Sequence, residues 1–439
     1  MPERFVTPLP ALTVLRPEAA CDITAREAAA RILPGLDTKI WGYNGLFPGP
    51  VIEVRRGSSL TLRLSNALPV PIVNHLHGGR TPPESDGYPT DFVPPGVARE
   101  YWYPNTQRAA TLWYHDHRMD FTGPQVWRGL AGFYILRDEA ELRLPLPRGD
   151  KEIPLMLCDR SFDSDGSLLY PSLDPSLTHG GVAHEYMGGV LGDVILVNGA
   201  PWPRLDVANR RYRFRILNAS NARRYELSFG QPIVQIGGDG GLLTLPLAHK
   251  TLPIAPAERF DIVVDFSAYP LGSDVTLKNL ADNGPAGEIM RFHVARREHD
   301  DSAIPQFLTQ LPPPDESQAV ATRTFDFSYR RADGTWTVNR KPFDRDRMEA
   351  NPRLGTSEIW ELRSDFSHPL HLHLVQFRVL SHSGRPRPYD AGFKDTIDLA
   401  PGEVARILVN FSGYRGRYVF HCHNLEHEDM AMMANFEVI

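Results

Sequence analysis

The segment His421-Cys422-His423, followed by His427 and Met432, offers three imidazoles, a thiol and a thioether at fixed intervals. On an extended strand successive side chains point to opposite faces. Cys422 must then leave one face of a sheet while His421 and His423 leave the other, so two metal sites lie back to back. A soft thiolate with histidine and a more distant methionine is the ligand set of a blue-copper electron-transfer site. The two flanking histidines belong to a separate centre, one residue of covalent path away.

Two histidines cannot hold that second centre alone. Three further clusters supply the rest: His75-Leu76-His77, His115-Asp116-His117, and His368-Pro369-Leu370-His371-Leu372-His373. Each contains a His-x-His pair, which on a strand shares one face. With His421 and His423 this makes eight imidazoles able to converge, and it leaves His368 and His427 to join Cys422 and Met432. Ten of the sixteen histidines fall in these clusters. One His-x-His pair is weak evidence, since strand surfaces and cores also carry such pairs. Four of them beside a Cys and a Met at blue-copper spacing leave one serious competitor, a relative that kept the fold and lost its metal, and no ligand position here is vacant.

The pattern resembles the multicopper oxidases, whose four motifs run H-x-H, H-x-H, H-x-x-H-x-H and H-C-H-x-x-x-H-x-x-x-x-M. The resemblance implies four copper ions. His368, Cys422, His427 and axial Met432 would hold the type 1 copper, and His75 and His371 the type 2 copper. His77, His115, His117, His373, His421 and His423 would hold the type 3 pair. It extends through Trp41 to Pro50, through Val197-Asn198-Gly199 and through Arg215 to Ala219, and so covers nearly the whole chain. Within the family, Tyr114 to Met119 and His421 to Met433 are most similar to the bacterial spore-coat laccases and the bilirubin oxidases. The fold this implies is all-β, three consecutive cupredoxin-like Greek-key β-sandwiches.

Composition points the same way. A chain of 439 residues with 42% apolar content is too long for one core and fits two to four domains. Its 39 prolines, 35 glycines and many aromatics suit short strands joined by turns. The net charge of −6 gives no basic field for nucleic acid or an anionic membrane. No stretch approaches the ~20 apolar residues of a membrane span, and Met1 to Pro17 shows no signal-peptide pattern. Family members are often exported, so the sequence leaves the compartment open. Cys21 and Cys158 read as isolated buried thiols.

Along the chain, residues 1–145 form a first β unit with two His pairs, and residues 146–298 a second without ligands, acting as spacer and wall. Residues 299–323, polar and proline-rich, read as a linker. Residues 324–439 form the third unit, so the cluster belongs at the seam of the first and third. Asp22 to Leu33, rich in Ala, Arg and Glu, predicts a short helix. Gly237 to Gly241 reads as a tight turn rather than a phosphate loop, and Arg210 to Arg215 as a strand with one solvated charged face.

Function follows from the separation of the two sites. Dioxygen needs four electrons, whereas organic donors release one at a time, and Cys422 would carry them toward His421 and His423. Oxygen reduction also needs protons. Asp86, in a segment resembling the spore-coat laccases, and Glu428, beside His427, are candidate proton carriers. Asp116, pointing away from its flanking ligands, would orient an imidazole. The expected partners are small aromatic donors (phenols, aromatic amines or tetrapyrroles such as bilirubin) and dioxygen, acted on by a monomer. A cuprous oxidase is disfavoured because the nine methionines form no thioether-rich segment. His179 to Gly189 could line the donor approach or be a plain surface loop. His179, His184, His249, His293, His299 and His382 are ordinary polar residues.

Overall fold

Leu60–Asn66 shows how this sequence makes strands: Leu60, Leu62, Leu64 and Asn66 are buried while the residues between them face outward. Repeated along the chain, this period of two builds 32 strands, with three α-helices of five to seven residues, in the computed structural model, which describes residues 2–439. The strands make six sheets in three successive pairs. Sheets of four and five strands lie within residues 14–137, sheets of eight and five within 152–296, and two sheets of five within 319–438. Each pair closes over its own core. Leu62, Tyr101 and Leu136 belong to the first, Phe214, Ile262 and Phe292 to the second, and Trp360, Phe420 and Phe436 to the third. Parallel and antiparallel neighbours mix within a sheet, as where Ala131–Arg137 runs parallel to Val51–Arg55 and antiparallel to Ala110–Asp116. Among the described residues no helix is long and apolar enough to cross a membrane.

Pairing register positions the site. Asn74–His77 lies at a sheet edge against Ala110–Asp116, with His75 opposite His115. In the third unit His368–Leu372 pairs with Gly416–Cys422, with His371 opposite His421 and Leu370 opposite Cys422.

Several expectations need correction. The segment expected as a helix is the strand Ala20–Ala30, burying Cys21, Ile23 and Ala25 alternately. It pairs with Thr38–Tyr43 and Leu60–Asn66 on its two sides, and these ladders override the helix propensity of Ala and Glu. The arginine run is a strand as expected, Arg211–Asn218, yet Arg213 and Arg215 are not solvated. Arg213 binds Asp261 at 2.8 Å and lies 2.7 Å from Glu141, and Arg215 binds Glu152 at 2.6 Å. Strand Ala319–Arg330 begins inside the expected linker. Near the amino end, Phe5 and Leu9 donate backbone hydrogen bonds to Trp202 and Arg204 of the second unit. Cys21 and Cys158 are free and buried.

The glycine run is the turn between Ile233–Gly238 and Gly241–His249. This turn is wedged between the other two units. A Cβ on Gly240 would collide with Phe393, and one on Gly241, where φ is +90°, with the Ala109 carbonyl. Gly241→Ala is therefore expected to lower the thermal midpoint by several degrees, through a penalty of about 1–3 kcal/mol. Gly272→Ala, at φ +82° with open space around it, should cost less. Parallel melting curves of the two variants check the contrast.

Candidate metal centre

Cys422 ends its strand fully buried, 3.4 Å from His368 Nδ1 and 3.7 Å from His427 Nδ1, and those two nitrogens lie 3.1 Å apart. His427 comes from the short helix Leu425–Asp429. Met432 is buried in the same core cluster as Cys422, its carbonyl accepting from Cys422 N and its N–H donating to the His427 carbonyl. Asn424 N–H points at the sulfur from 3.4 Å. Burial pushes the Cys422 thiol well above its usual pKa, so a thiolate here needs a cation beside it. Trp336 stacks on the His427 ring with centroids 3.8 Å apart, and neither His368 nor His427 is more than 2% exposed.

On the opposite face the eight remaining histidines converge. His75 and His371 face each other with Nε2 atoms 3.4 Å apart. His421 Nε2 lies 3.2 Å from Nε2 of both His117 and His373. His77 and His115 are 5.0 and 5.2 Å from His423 between ring centroids. Each nitrogen turned away from the cluster has a partner where the backbone can provide one. Nδ1–H of His75, His115, His371 and His421 donates to the carbonyls of Asp86, Asp116, Asp395 and Cys422 at 2.6 to 3.0 Å. Those bonds fix the tautomer and aim the Nε2 lone pairs inward. His77 is reversed: its Nε2 contacts Asp395 and Thr396, both at 3.1 Å, leaving Nδ1 as the inward atom.

Burial, with mutual repulsion, holds His75, His77, His371, His373 and His423 neutral, and depresses His115 to about 3 and His117 to about 4. His77 Nδ1, His115 Nε2 and both nitrogens of His423 are buried without a hydrogen-bond partner. Neutral imidazoles with orphaned lone pairs in a dry place are what transition-metal ions require.

Three acids stand around this cluster. Asp86 Oδ2 is 2.7 Å from His373 Nδ1, and burial raises its carboxyl pKa well above the ordinary range. Glu428 sits between two rings, Oε1 3.2 Å from His117 Nδ1 and Oε2 3.1 Å from His421 Nδ1. Burial alone would raise its pKa, but those imidazoles hold it far below the usual range. The Asp116 carboxylate touches no imidazole, contrary to expectation. It accepts from Val73 N and Arg118 N at 2.9 and 3.1 Å, and only its carbonyl orients His115.

Three models for multicopper oxidases match residues 24–141, 180–288 and 311–439. The laccase of Bacillus subtilis (strain 168) is 39% identical, over 99% of this chain and 98% of that protein. The chain belongs to the multicopper oxidase family. The bilirubin oxidase of Albifimbria verrucaria is 36% identical, over 97% of this chain and 78% of its own length. Among solved structures, the McoA multicopper oxidase of the hyperthermophile Aquifex aeolicus superposes with a TM-score of 0.89 at 33% identity, covering 100% of this chain and 99% of that one. As a multicopper oxidase the protein is a copper oxidoreductase that uses dioxygen, and its two donor sets suit copper.

The second unit of this multicopper oxidase does more than space the other two apart. Its Arg259, fully buried, donates to the Thr111 carbonyl of the first unit at 2.9 Å and to Asp395 of the third at 2.6 Å. Asp395 is the group that holds His77 Nε2, so one guanidinium ties the cluster to all three units. Its Asn221 donates to Glu426 at 2.8 Å beside His427, and Val190 N donates to the other oxygen of Glu426 at 3.0 Å. Gly188 to Val190 thus packs on the His427 segment, whereas His179 stays exposed. Outside the cluster, His249, His293 and His382 bond to Gln235, Asp274 and Asp390.

Arg259→Met should cost about 3–5 kcal/mol by stranding buried carboxylates. The double variant Arg259→Met/Asp395→Leu should regain most of that stability yet bind less copper, since His77 loses its partner. Melting midpoints and copper counted per chain, measured on both variants, test the two roles separately.

Proposed function

We propose that this multicopper oxidase is of laccase type, oxidising phenols and aromatic amines one electron at a time beside Cys422 and reducing dioxygen to water within the eight-histidine cluster. Bound copper supplies the one-electron redox chemistry at the first site and the four-electron reduction at the second. The observation that carries this reading is the shared strand end: Cys422 lies between His421 and His423, and its own carbonyl is bonded to His421 Nδ1 at 3.0 Å. His368, Cys422, His427 and Met432 are the proposed type 1 ligands. The facing pair His75 and His371 suits the type 2 position, and the other six histidines the type 3 pair.

Donors meet an aromatic cover rather than a ligand edge. Phe366 is 39% exposed and lies edge-on to Trp336 at 5.6 Å, and Trp336 in turn covers His427. A flat aromatic donor can stack on such a surface. The nine methionines of the sequence form no thioether-rich segment, which argues against cuprous ion as the main donor.

Asp86 is the better proton carrier of the acids. Burial raises its carboxyl pKa well above the ordinary range and so favours the protonated form, with Oδ1 free of any hydrogen-bond partner and Oδ2 against His373. Glu428, ionised between His117 and His421, suits orienting those rings. The protonated form of Asp86 is lost as pH rises through its raised pKa, so turnover should fall on that limb. Asp86→Asn should leave the visible spectrum intact, slow turnover by roughly 100-fold or more and flatten the limb. An unaltered pH–kcat profile would remove Asp86 from proton supply.

Cys422→Ser should abolish the intense visible absorption and donor oxidation while leaving the fold in place, which absorption and circular dichroism check. Retained colour would sink the assignment. Oxygen uptake by the copper-loaded protein with a methoxyphenol, bilirubin and Cu(I), side by side with a peroxide assay, tests the whole reading. Fast uptake with the phenol and no peroxide is expected. Bilirubin far ahead of the phenol would make it a bilirubin oxidase, and uptake with Cu(I) alone a metal oxidase.

A further inference from the structure

The linker and the seam between the first and third units line an open cleft of about 270 Å³ that the copper chemistry does not use. Arg80 and Arg108 of the first unit and Arg378 of the third face into it, with Pro312 to Pro314 of the linker as one wall. Among the described residues no carboxylate lies within 4.0 Å of any of these guanidinium groups. Asp315 at the rim is already bonded to Ser317 and Gln318. Arg108 and Arg378 share the Phe393 ring, their guanidinium carbons 6.0 and 5.1 Å from its centroid. Arg108 Nε and Gln376 Nε2 are buried without a hydrogen-bond partner.

Arg213, Arg215 and Arg259 are buried against carboxylates, and Arg118 and Arg160, buried without one, bond backbone carbonyls. At the cleft, burial disfavours the charged form of Arg80, Arg108 and Arg378 with no carboxylate in contact; the more distant Asp138 favours the charged form of Arg108, while Arg56 and Arg378 oppose it, and Arg56 also repels Arg80. Partly desolvated like charges around an empty concavity are unfavourable unless an anion joins them. Guanidinium forks match the paired oxygens of carboxylate and phosphate groups. The volume falls just below the common range of ligand pockets, about 300–1,000 Å³, and suits a small ion.

We propose that this cleft binds one small dianionic oxyanion, a phosphate or a short dicarboxylate, between Arg80, Arg108 and Arg378. Bound there, the anion clamps the first unit to the third across the seam that carries the histidine cluster. Arg378 already donates to the Pro312 carbonyl at 2.8 Å, so the clamp takes in the linker as well.

The test titrates the copper-loaded protein with inorganic phosphate, with succinate, and with chloride at matched ionic strength, reading the thermal midpoint, calorimetric stoichiometry and visible spectrum. One phosphate or succinate per chain, raising the midpoint beyond chloride with no spectral change, is expected, and whichever binds more tightly identifies the class. R108Q/R378Q should weaken that binding by at least about tenfold and, with less repulsion, raise the midpoint in chloride. Should the pair fail to fold, R378Q alone at the cleft wall gives the same reading. No effect beyond chloride, a spectral change showing capture at copper, or undiminished binding in the variant that folds overturns the proposal.

Discussion

Eight buried imidazoles with ring nitrogens turned toward one another are an arrangement that a cation completes. His423 has no hydrogen-bond partner on either ring nitrogen. The surrounding structure meets that demand from behind. Carbonyls of Asp86, Asp116, Asp395 and Cys422 each take one N–H, and the side chain of Asp395 takes the reversed ring of His77. What differs between the two faces of the strand Gly416–Cys422 is softness: a thiol on one side, nitrogen alone on the other. The two sites can therefore be tuned independently although they are covalent neighbours.

Holding such a cluster at a seam requires that the seam not slide. Two β units supply the histidines and bond each other directly, and the unit without them adds restraints of its own. Arg259 reaches a carbonyl of the first unit and a carboxylate of the third, and Asn221 reaches both Gly123 and Glu426. A one-residue slip in any strand would turn its histidine pair to the wrong face. Lateral pairing of His75 with His115 and of His371 with His421 fixes register within units, and the buried charges fix it between them.

The histidines and the cysteine were legible from spacing because strand alternation is a local rule, and four short motifs obey it. The all-β class and the turn at Gly237 to Gly241 were legible for the same reason. Ala20–Ala30 was not, because its composition favours a helix while its two neighbours, far off in sequence, demand a strand. Arg213 and Arg215 looked like surface charges since Glu141, Glu152 and Asp261 come from separate segments. Asp395, Arg259 and Trp336 carry no motif at all. Only the fold brings them to His77 and His427. For Asp116 the alternation argument gave the right direction, yet the partners it reached were backbone amides rather than a ring.

The carboxylate of Asp429, in the third unit, accepts the backbone N–H groups of Thr122 and Gly123, both at 2.8 Å, at the start of the first unit's helix Thr122–Arg128. That helix has no side-chain cap of its own. Its first turn is thus completed by a residue two positions past His427, and opening the carboxyl-terminal unit would fray it at once. Docking of the carboxyl-terminal unit and completion of this first-unit helix are therefore one event rather than two.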